Sequence, residues 1–378
     1  MTTAAAVAAV TTAVSLLLIA YILVGYPLLL LVLRRFRANP VRTGDAYLPT
    51  VTAVIAVHNG EASIGGKLES LRGLDYPSEL LNIVVASDGS TDRTLEIARG
   101  FDGVTVLDLP KGTKCTALNA GIAQATGEIL LLTDVRQPVE PQSLRMLIRN
   151  FADPSVGSVS GLLKIRTGGL REAEEIGAYW RYEAWIRDSL SAIDSIFGAS
   201  GAYYAMRRDL APVNVPGEIL LDDMYLPLAA FRRGYRLIME PAAVFWDQPT
   251  DRSTEFARKV RTLAGNYQIL RHYPWLLSPA NRMWLHFASY KAARLVLPWL
   301  LLIVLIAPLW LPSPWRELLV VPQVIGYALA ALHPWLPRPL HRLSSPLRTL
   351  CMMMFATVAG LKVFFVPAER IWKVTKSR

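Results

Sequence analysis

Between Val51 and Asp134, four apolar runs alternate with polar, helix-compatible segments, and no other feature of the chain constrains the fold as tightly. The first run, Val51–Val57, carries one polar residue, Thr52, in seven. Continuous apolarity fits a strand covered on both faces, as in a parallel sheet, whereas a half-exposed strand alternates. The spacing predicts a helix over 61–74, with Leu68, Leu71 and Leu74 near one face, then a strand over 82–86 and a helix from about 92 to 99. A strand over 104–109, a helix from about 115 to 125 and a strand over 128–133 complete the run. Strand and helix recurring at this spacing imply an α/β fold with an open, mostly parallel sheet. Ligands of such sheets sit beyond the carboxyl ends of the strands. His58, Asp88 and Asp134 each lie just past one of those ends.

After Asp134 the sequence predicts a strand over 156–165 and a helix over 171–190 carrying Trp180, Tyr182 and Trp185. FGASGAYYAMRRDL reads as a glycine-containing turn and an apolar strand. Within 216–233 the adjacent acids Asp222 and Asp223 open a helix, and 235–240 is a last short strand. Over 252–272, Phe256, Val260, Leu263, Tyr267 and Leu270 recur at four-three spacing and make one narrow apolar face, with Arg258 and Arg261 pointing away. A basic amphipathic helix beside apolar segments reads as interfacial, the alternative being an ordinary surface helix.

The ends of the chain belong to another solvent. Hydrophobic residues make up 52% of the 378, high for a soluble enzyme. Residues 4–33 carry no charge and are followed by Arg34, Arg35 and Arg37. That stretch is too long for a signal-peptide core and lacks a basic region before it, so it reads as a transmembrane helix with its C-terminal end in the cytosol. Pro27 marks a possible kink. Leu295–Leu311, Leu318–Leu332 and Leu350–Val366 are three further apolar segments. The loop with Arg338, Arg342 and Arg348 and the C-terminal tail are both basic, and both cannot be cytosolic if the last segment crosses. The expected layout is therefore a membrane helix over 1–37, the sheet domain over 49–250, and an amphipathic helix over 252–274. Two or three spans within 284–366 and a basic tail over 367–378 follow. The net charge of +10 concentrates beside the apolar segments, which fits positive-inside bias. No basic–aromatic module accompanies it, which excludes nucleic acid as the expected partner. Cys115 and Cys351 lie in very different contexts, so neither a disulfide nor a cysteine metal site is expected.

Several residues in this frame could do chemistry. Asp88, in SDGSTD, could accept hydrogen bonds from a base or ribose; as a helix cap it would be unremarkable, but Ser90 or Thr91 can take that role. Asp134 ends a very apolar strand, where an acid is costly without a partner, and a metal-bound diphosphate would supply one. Asp222 and Asp223 suit a general base, because like charges raise one pKa, though acids at a helix start also complement its dipole. Lys111, Lys114, Arg258 and Arg261 are candidate phosphate clamps, each on its own equally consistent with a solvated charge.

Taken in order and at this spacing, VTAVIAVHNG, VVASDGSTDRT, KGTKCTALNAG, GEILLLTD, FGASGAYYAMRR and LLDDMYLPL resemble the membrane-bound family-two glycosyltransferases over roughly residues 49–272. That group includes cellulose, chitin and hyaluronan synthases and ceramide glucosyltransferases. The resemblance implies a GT-A fold and an inverting enzyme that moves sugar from a UDP-sugar to a polysaccharide or lipid acceptor. It further implies a bacterial inner-membrane protein with a cytosolic catalytic domain, with export-complex subunits as possible partners. His58 takes the place where relatives often have a tyrosine near the uracil, Asp88 matches the uridine-binding aspartate, and Lys114 matches a lysine near the nucleotide. Asp134 matches the first acid of the metal-binding DxD motif, which calls for Mg2+ or Mn2+. The segment with Gly198, Ser200 and Gly201 resembles the acceptor-site lining. Asp223 matches the catalytic base, with Asp222 in place of a glutamate, and Arg261 matches the arginine of QxxRW that meets the diphosphate.

Two positions depart from the pattern. The DxD reads Asp134-Val135-Arg136, so either Asp134 alone holds the metal through the diphosphate or Arg136 supplies part of the cation's work. QxxRW reads Arg258-Lys259-Val260-Arg261-Thr262, without the tryptophan that packs the acceptor sugar in processive synthases. Trp180, Trp185 or Trp246 could replace it. The other class of reading is a non-catalytic membrane scaffold with a degenerate transferase domain, and these two departures are its support.

Overall fold

The computed structural model describes residues 2–165, 171–247 and 252–371. The chain divides into two compact units, one of Leu33–Pro249 and one of Met1–Val32 with Thr250–Arg378.

In the unit of Leu33–Pro249 the described residues form one seven-stranded sheet. Its strands are β1 (Val51–Val57), β2 (Leu81–Asp88), β3 (Val104–Leu109), β4 (Ile129–Thr133), β5 (Val156–Ile165), β6 (Tyr203–Arg207) and β7 (Arg236–Asp247). The spatial order is β3-β2-β1-β4-β6-β5-β7. The first four strands in that order run parallel to one another. The reason β1 is apolar at nearly every position lies in what covers it. Side chains alternate across a strand. Val51, Ala53, Ile55 and Val57 share a core with Ile64, Leu68 and Leu71 of the helix Glu61–Arg72. The intervening Val54 meets the other helix layer, Lys114–Gln124, where a Cβ on Gly121 would stand 2.5 Å from its Cγ1. Only glycine lets that helix approach so closely.

The expected elements are present with ends shifted by a few residues, except at the last strand. β7 runs on past Glu240 to Asp247 and pairs in parallel with β5 through two irregularities. The sheet is also less parallel than its first half implies, because β6 lies antiparallel between β4 and β5. This insertion has a geometric consequence. An antiparallel neighbour begins where β4 ends, and Thr133 pairs with Tyr203. The glycine-containing turn before β6 is thereby delivered beside Asp134, whose N–H donates to the Ala202 carbonyl at 3.2 Å.

The other unit holds the helices Trp284–Trp310, Trp315–Trp335 and His341–Phe364 and all but the last four residues of Thr3–Phe36, each helix long and apolar enough to cross a membrane. In Thr3–Phe36, the widened turn Tyr21–Gly25 ends two residues before Pro27. A proline ring crowds the carbonyl four residues back, and a π-turn there makes room without ending the helix. The amphipathic helix is Arg252–His272. Its Val260 and Leu263 are buried against Leu295 and Ala356, with Tyr267 and Leu270 beside them, so this part of the narrow apolar face is taken up by the chain's own helices.

Candidate active site

The site is assembled at the carboxyl ends of β1, β2 and β4. The loops after β1 and β2 are stitched together by their short polar side chains. Asn59 donates its N–H to Ser90 Oγ at 3.1 Å and accepts at Oδ1 from the Thr91 N–H at 2.8 Å. Gly60 N–H donates to Thr94 Oγ1 at 2.8 Å. The helix Thr94–Arg99 is started by Asp92 rather than by Ser90 or Thr91: Asp92 accepts from the Thr94 N–H at 3.1 Å and from the Glu61 N–H at 3.0 Å. Asp88 is therefore spared from capping, as the sequence implied, but it is not idle. Its carboxylate meets Lys111 Nζ at 2.5 Å and accepts from the Gly112 N–H at 2.6 Å. His58 donates from Nδ1 to the Asp88 carbonyl at 2.8 Å. A base or ribose seated here would meet a carboxylate already oriented by the Lys111–Gly112 loop.

Just after the Lys111–Gly112 loop, at the start of the helix Lys114–Gln124, the charge pattern changes. Thr113 caps Lys114–Gln124 by accepting the Thr116 N–H at 3.2 Å, which fixes Lys114 at the first helical position. Lys114 Nζ lies 3.1 Å from Asp134 Oδ1 and 3.2 Å from Asp222 Oδ2. Burial alone would favour its neutral form, but Asp134, Asp222 and Asp223 outweigh that and hold the ammonium well above the ordinary lysine range. Asp222 is 6% exposed and opens the helix Asp222–Arg232. The two adjacent acids are thus not an uncompensated like-charge pair: Asp222 is buried and paired with Lys114, and Asp223 is the half-buried one of the two.

Asp223 packs against the turn before β6. The Ala199 N–H donates to the Asp223 carbonyl at 2.7 Å, and a Cβ on Gly201 would stand 2.9 Å from Asp223 Oδ2. Arg187, from the helix Arg171–Ile193, braces this turn by donating to Ser160 Oγ at 2.9 Å, the Gly198 carbonyl at 3.2 Å and Ser200 Oγ at 3.3 Å. Because Asp223 Oδ2 is the movable end of a short side chain, Gly201→Ala is expected to cost little stability and to push the carboxylate aside. A displacement of about 1 Å is worth up to about 100-fold in rate. We expect kcat at least tenfold lower with an unchanged melting temperature, measured by steady-state transfer and a thermal melt.

Three buried groups stand near these acids without having been placed there by the sequence reading. Tyr204 is fully buried, and burial first, then Asp222, Asp223 and Asp134, keep its phenol protonated. Cys115 donates to the Ile219 carbonyl at 3.5 Å, and burial pushes its thiol up to about 12, so it is no nucleophile at neutral pH. Lys67 is 2% exposed on the buried face of Glu61–Arg72 and donates to the Gln137 carbonyl at 2.7 Å. Burial lowers its pKa to about 7, with Asp134 pulling the other way. Only Lys67 left a signal, as a charge inside the apolar stripe Ile64, Leu68, Leu71.

The sign of that shift is testable. A lysine whose folded pKa lies below its unfolded value binds a proton in the unfolded chain that the folded chain lacks, between about 7 and the ordinary lysine value of 10.5. Stability then rises with pH across that window, by up to about 1.4 kcal/mol per unit. From pH 7 to 9 the wild-type melting temperature should rise relative to that of Lys67→Met.

Among the described residues, no three of His, Cys, Asp or Glu gather as a metal site. Arg136 is exposed and makes no ion pair among the described residues. A divalent ion here would have one protein carboxylate, Asp134, and take its other ligands from the donor's phosphates and water. Magnesium-like ions are commonly bound that way, so the donor set fits. Trp246 donates from Nε1 to Glu140 at 3.0 Å, and Trp185 stacks with Tyr182; the Trp180 side chain lies outside the described residues. Arg258 and Arg261 belong to the other unit, and their part in the site rests on the motif resemblance.

Comparison with known proteins bears on the fold and on what the chain is similar to. The chain is 25% identical over 243 residues to the probable glycosyltransferase YdaM of Bacillus subtilis, covering 59% of this chain and 56% of that one. It is 26% identical over 237 residues to the poly-beta-1,6-N-acetyl-D-glucosamine synthase of Staphylococcus aureus, with the same coverage. The match thus spans little more than half the length of these relatives. Among solved structures, the mannosyltransferase PcManGT from Pyrobaculum calidifontis, in complex with GDP-Man and Mn2+, superposes with a TM-score of 0.65 at 22% identity. It covers 94% of this chain and 99% of its own, a likeness that establishes the fold. Residues 52–212 match the family described as glycosyl transferase family 2. Residues 52–212 are thus similar to the family 2 glycosyl transferases and lie on a GT-A fold, in a chain whose other helices are long and apolar enough to cross a membrane.

Proposed function

We propose that the protein is a membrane-embedded inverting glycosyltransferase that moves a sugar from a UDP-sugar to a polysaccharide or lipid acceptor. The observation that carries this reading is Lys114 held between Asp134 and Asp222 with Asp223 next to them. One cation and three acids meet where the sheet's topology seats a nucleotide. Asp88, Lys111 and His58 would receive the nucleoside. Lys114 would lie against the diphosphate, with Arg136 and Arg261 as further cations. Gly198, Ser200 and Gly201 would line the acceptor path.

In the reaction, Asp223 takes the proton of the acceptor hydroxyl as that oxygen bonds to the anomeric carbon. The bond from that carbon to the diphosphate oxygen breaks on the opposite face, and the nucleoside diphosphate departs with both electrons. Lys114 stabilises the charge developing on the leaving group. A unit charge pair at 4 Å is worth about 4 kcal/mol at an effective dielectric of 20, so such a cation supplies a large share of the barrier lowering. Mg2+ or Mn2+, held by Asp134 and the diphosphate, would add Lewis-acid stabilisation of the same oxygens.

The setting in this reading is a bacterial inner membrane with the sheet domain in the cytosol. The name of the similar staphylococcal synthase favours a polymeric acceptor, whereas the missing tryptophan after Arg261 favours single addition to a lipid. The test is to feed labelled UDP-sugars, with a GDP-sugar beside them, to membranes containing the protein. Label in long polysaccharide means a polymerase, and label confined to the lipid extract means a single-sugar transferase. No label from any donor would overturn the enzymatic reading in favour of a nucleotide-binding scaffold.

A further inference from the structure

The loop leaving β4 is anchored on two sides. Asp134 N–H is fixed to the Ala202 carbonyl, the Trp246 N–H donates to the Pro138 carbonyl at 3.1 Å, and the Glu140 N–H donates to the Val244 carbonyl at 3.3 Å. These bonds join sheet neighbours. Between them, the stretch Asp134–Gln137 is reached from the helix layer by Lys67, whose Nζ donates to the Gln137 carbonyl at 2.7 Å and lies 5.9 Å from the Tyr203 ring centroid. Gln137 is itself buried, and its Nε2 donates to Asp247 Oδ2 at 3.1 Å. The ends of β4 and β7 and one helix are thus tied together through one glutamine.

A lysine is an expensive choice for this position. Its neighbours on the helix face, Ile64, Leu68 and Leu71, are fully buried hydrophobics, and an apolar side chain would satisfy packing at no desolvation cost. Buried polar groups without a packing rationale call for a specific explanation. The bond to Gln137 supplies it: neutral or charged, the nitrogen can donate, and the carbonyl it holds is three residues from Asp134.

We propose that Lys67 is a positioning residue for the donor diphosphate: through the Gln137 carbonyl it fixes the loop that presents the Asp134 carboxylate. This rests on the reading of Asp134 as the diphosphate-side acid. Lys67 touches no substrate; it acts on where Asp134 stands. Removing it should weaken interactions made by the loop and spare those made by the acceptor turn, which Arg187 braces independently.

The experiment compares wild type, Lys67→Met and Asp134→Asn as purified full-length protein in lipid nanodiscs. UDP binding is measured by calorimetry with and without Mn2+, and donor and acceptor kinetics are measured where a donor has been found. For Lys67→Met, the dissociation constant of UDP with Mn2+ and the donor KM should both rise about tenfold. The acceptor KM and UDP binding without metal should stay within threefold. If Lys67→Met fails to give a cooperative melt, Lys67→Gln, whose shorter amide falls short of the carbonyl, is measured in its place with the same expectation. Wild-type constants in the variant overturn the proposal. So does a lower kcat at unchanged KM and UDP affinity, which is the signature of a reduced folded fraction. If wild-type UDP binding with Mn2+ is indifferent to Asp134→Asn, the reading of Asp134 fails and the proposal falls with it.

Discussion

Asp223→Asn is expected to lower kcat by about 10²–10⁴-fold, the usual contribution of a positioned general base. The variant should leave the donor KM within a few-fold of wild type. Asparagine has nearly the shape of aspartate, and the contact that seats residue 223 is made by its backbone carbonyl with the Ala199 N–H. The acceptor turn therefore keeps its place. The ion pairs of Lys114 with Asp134 and Asp222 are also untouched, so donor binding has no reason to change. What is lost is the carboxylate proposed to take the acceptor's proton. A kcat close to wild type would show that another group serves as base, and Asp222 would be the first to examine.

Lys114→Met is expected to lower kcat/KM for the donor by about 10²–10³-fold, in the range seen when one preorganised electrostatic donor is removed. The substitution keeps the length of the side chain and deletes the charge that neutralises Asp134 and Asp222. Two effects add. The leaving diphosphate loses a cation, which lowers kcat. The carboxylates also lose their counter-charge, which makes the pocket repel an anionic donor and raises KM. Asp222 suffers most, because it is buried and an unpaired buried charge is strongly unfavourable. A lower melting temperature should accompany the kinetic loss. Lys114→Arg restores the charge with a different shape and should recover part of the affinity. Unchanged donor kinetics in Lys114→Met would remove Lys114 from the site.

Much of this arrangement could be read from the chain because burial on two faces writes itself into sequence. Val51–Val57 is apolar at odd and even positions because one helix covers each face, and Asp88 and Asp134 follow such runs at the strand ends. What escaped was decided by partners distant in sequence. Nothing local says that β6 runs antiparallel between β4 and β5, yet that reversal brings Gly201 and Asp223 to the end of β4. The last strand was expected over 235–240, but irregular pairing with β5 carries β7 through Pro241 to Asp247. The split between Asp222 and Asp223 is likewise invisible in a bare pair of acids, since it is made by Lys114 from more than a hundred residues away. Arg187 reads as one more charge on a mixed helix until its three acceptors on the turn and on β5 are seen.

The central claim is a direct displacement driven by Asp223 across a donor held by Lys114 and Asp134. Its most direct test is the configuration of the bond the protein makes. With an α-linked UDP-sugar that supports turnover, NMR of the isolated product should show a β-linkage, the outcome of one in-line attack with inversion. An α-linkage would contradict the account, because retention requires a second displacement or attack from the leaving-group face, and the roles assigned to these residues provide neither.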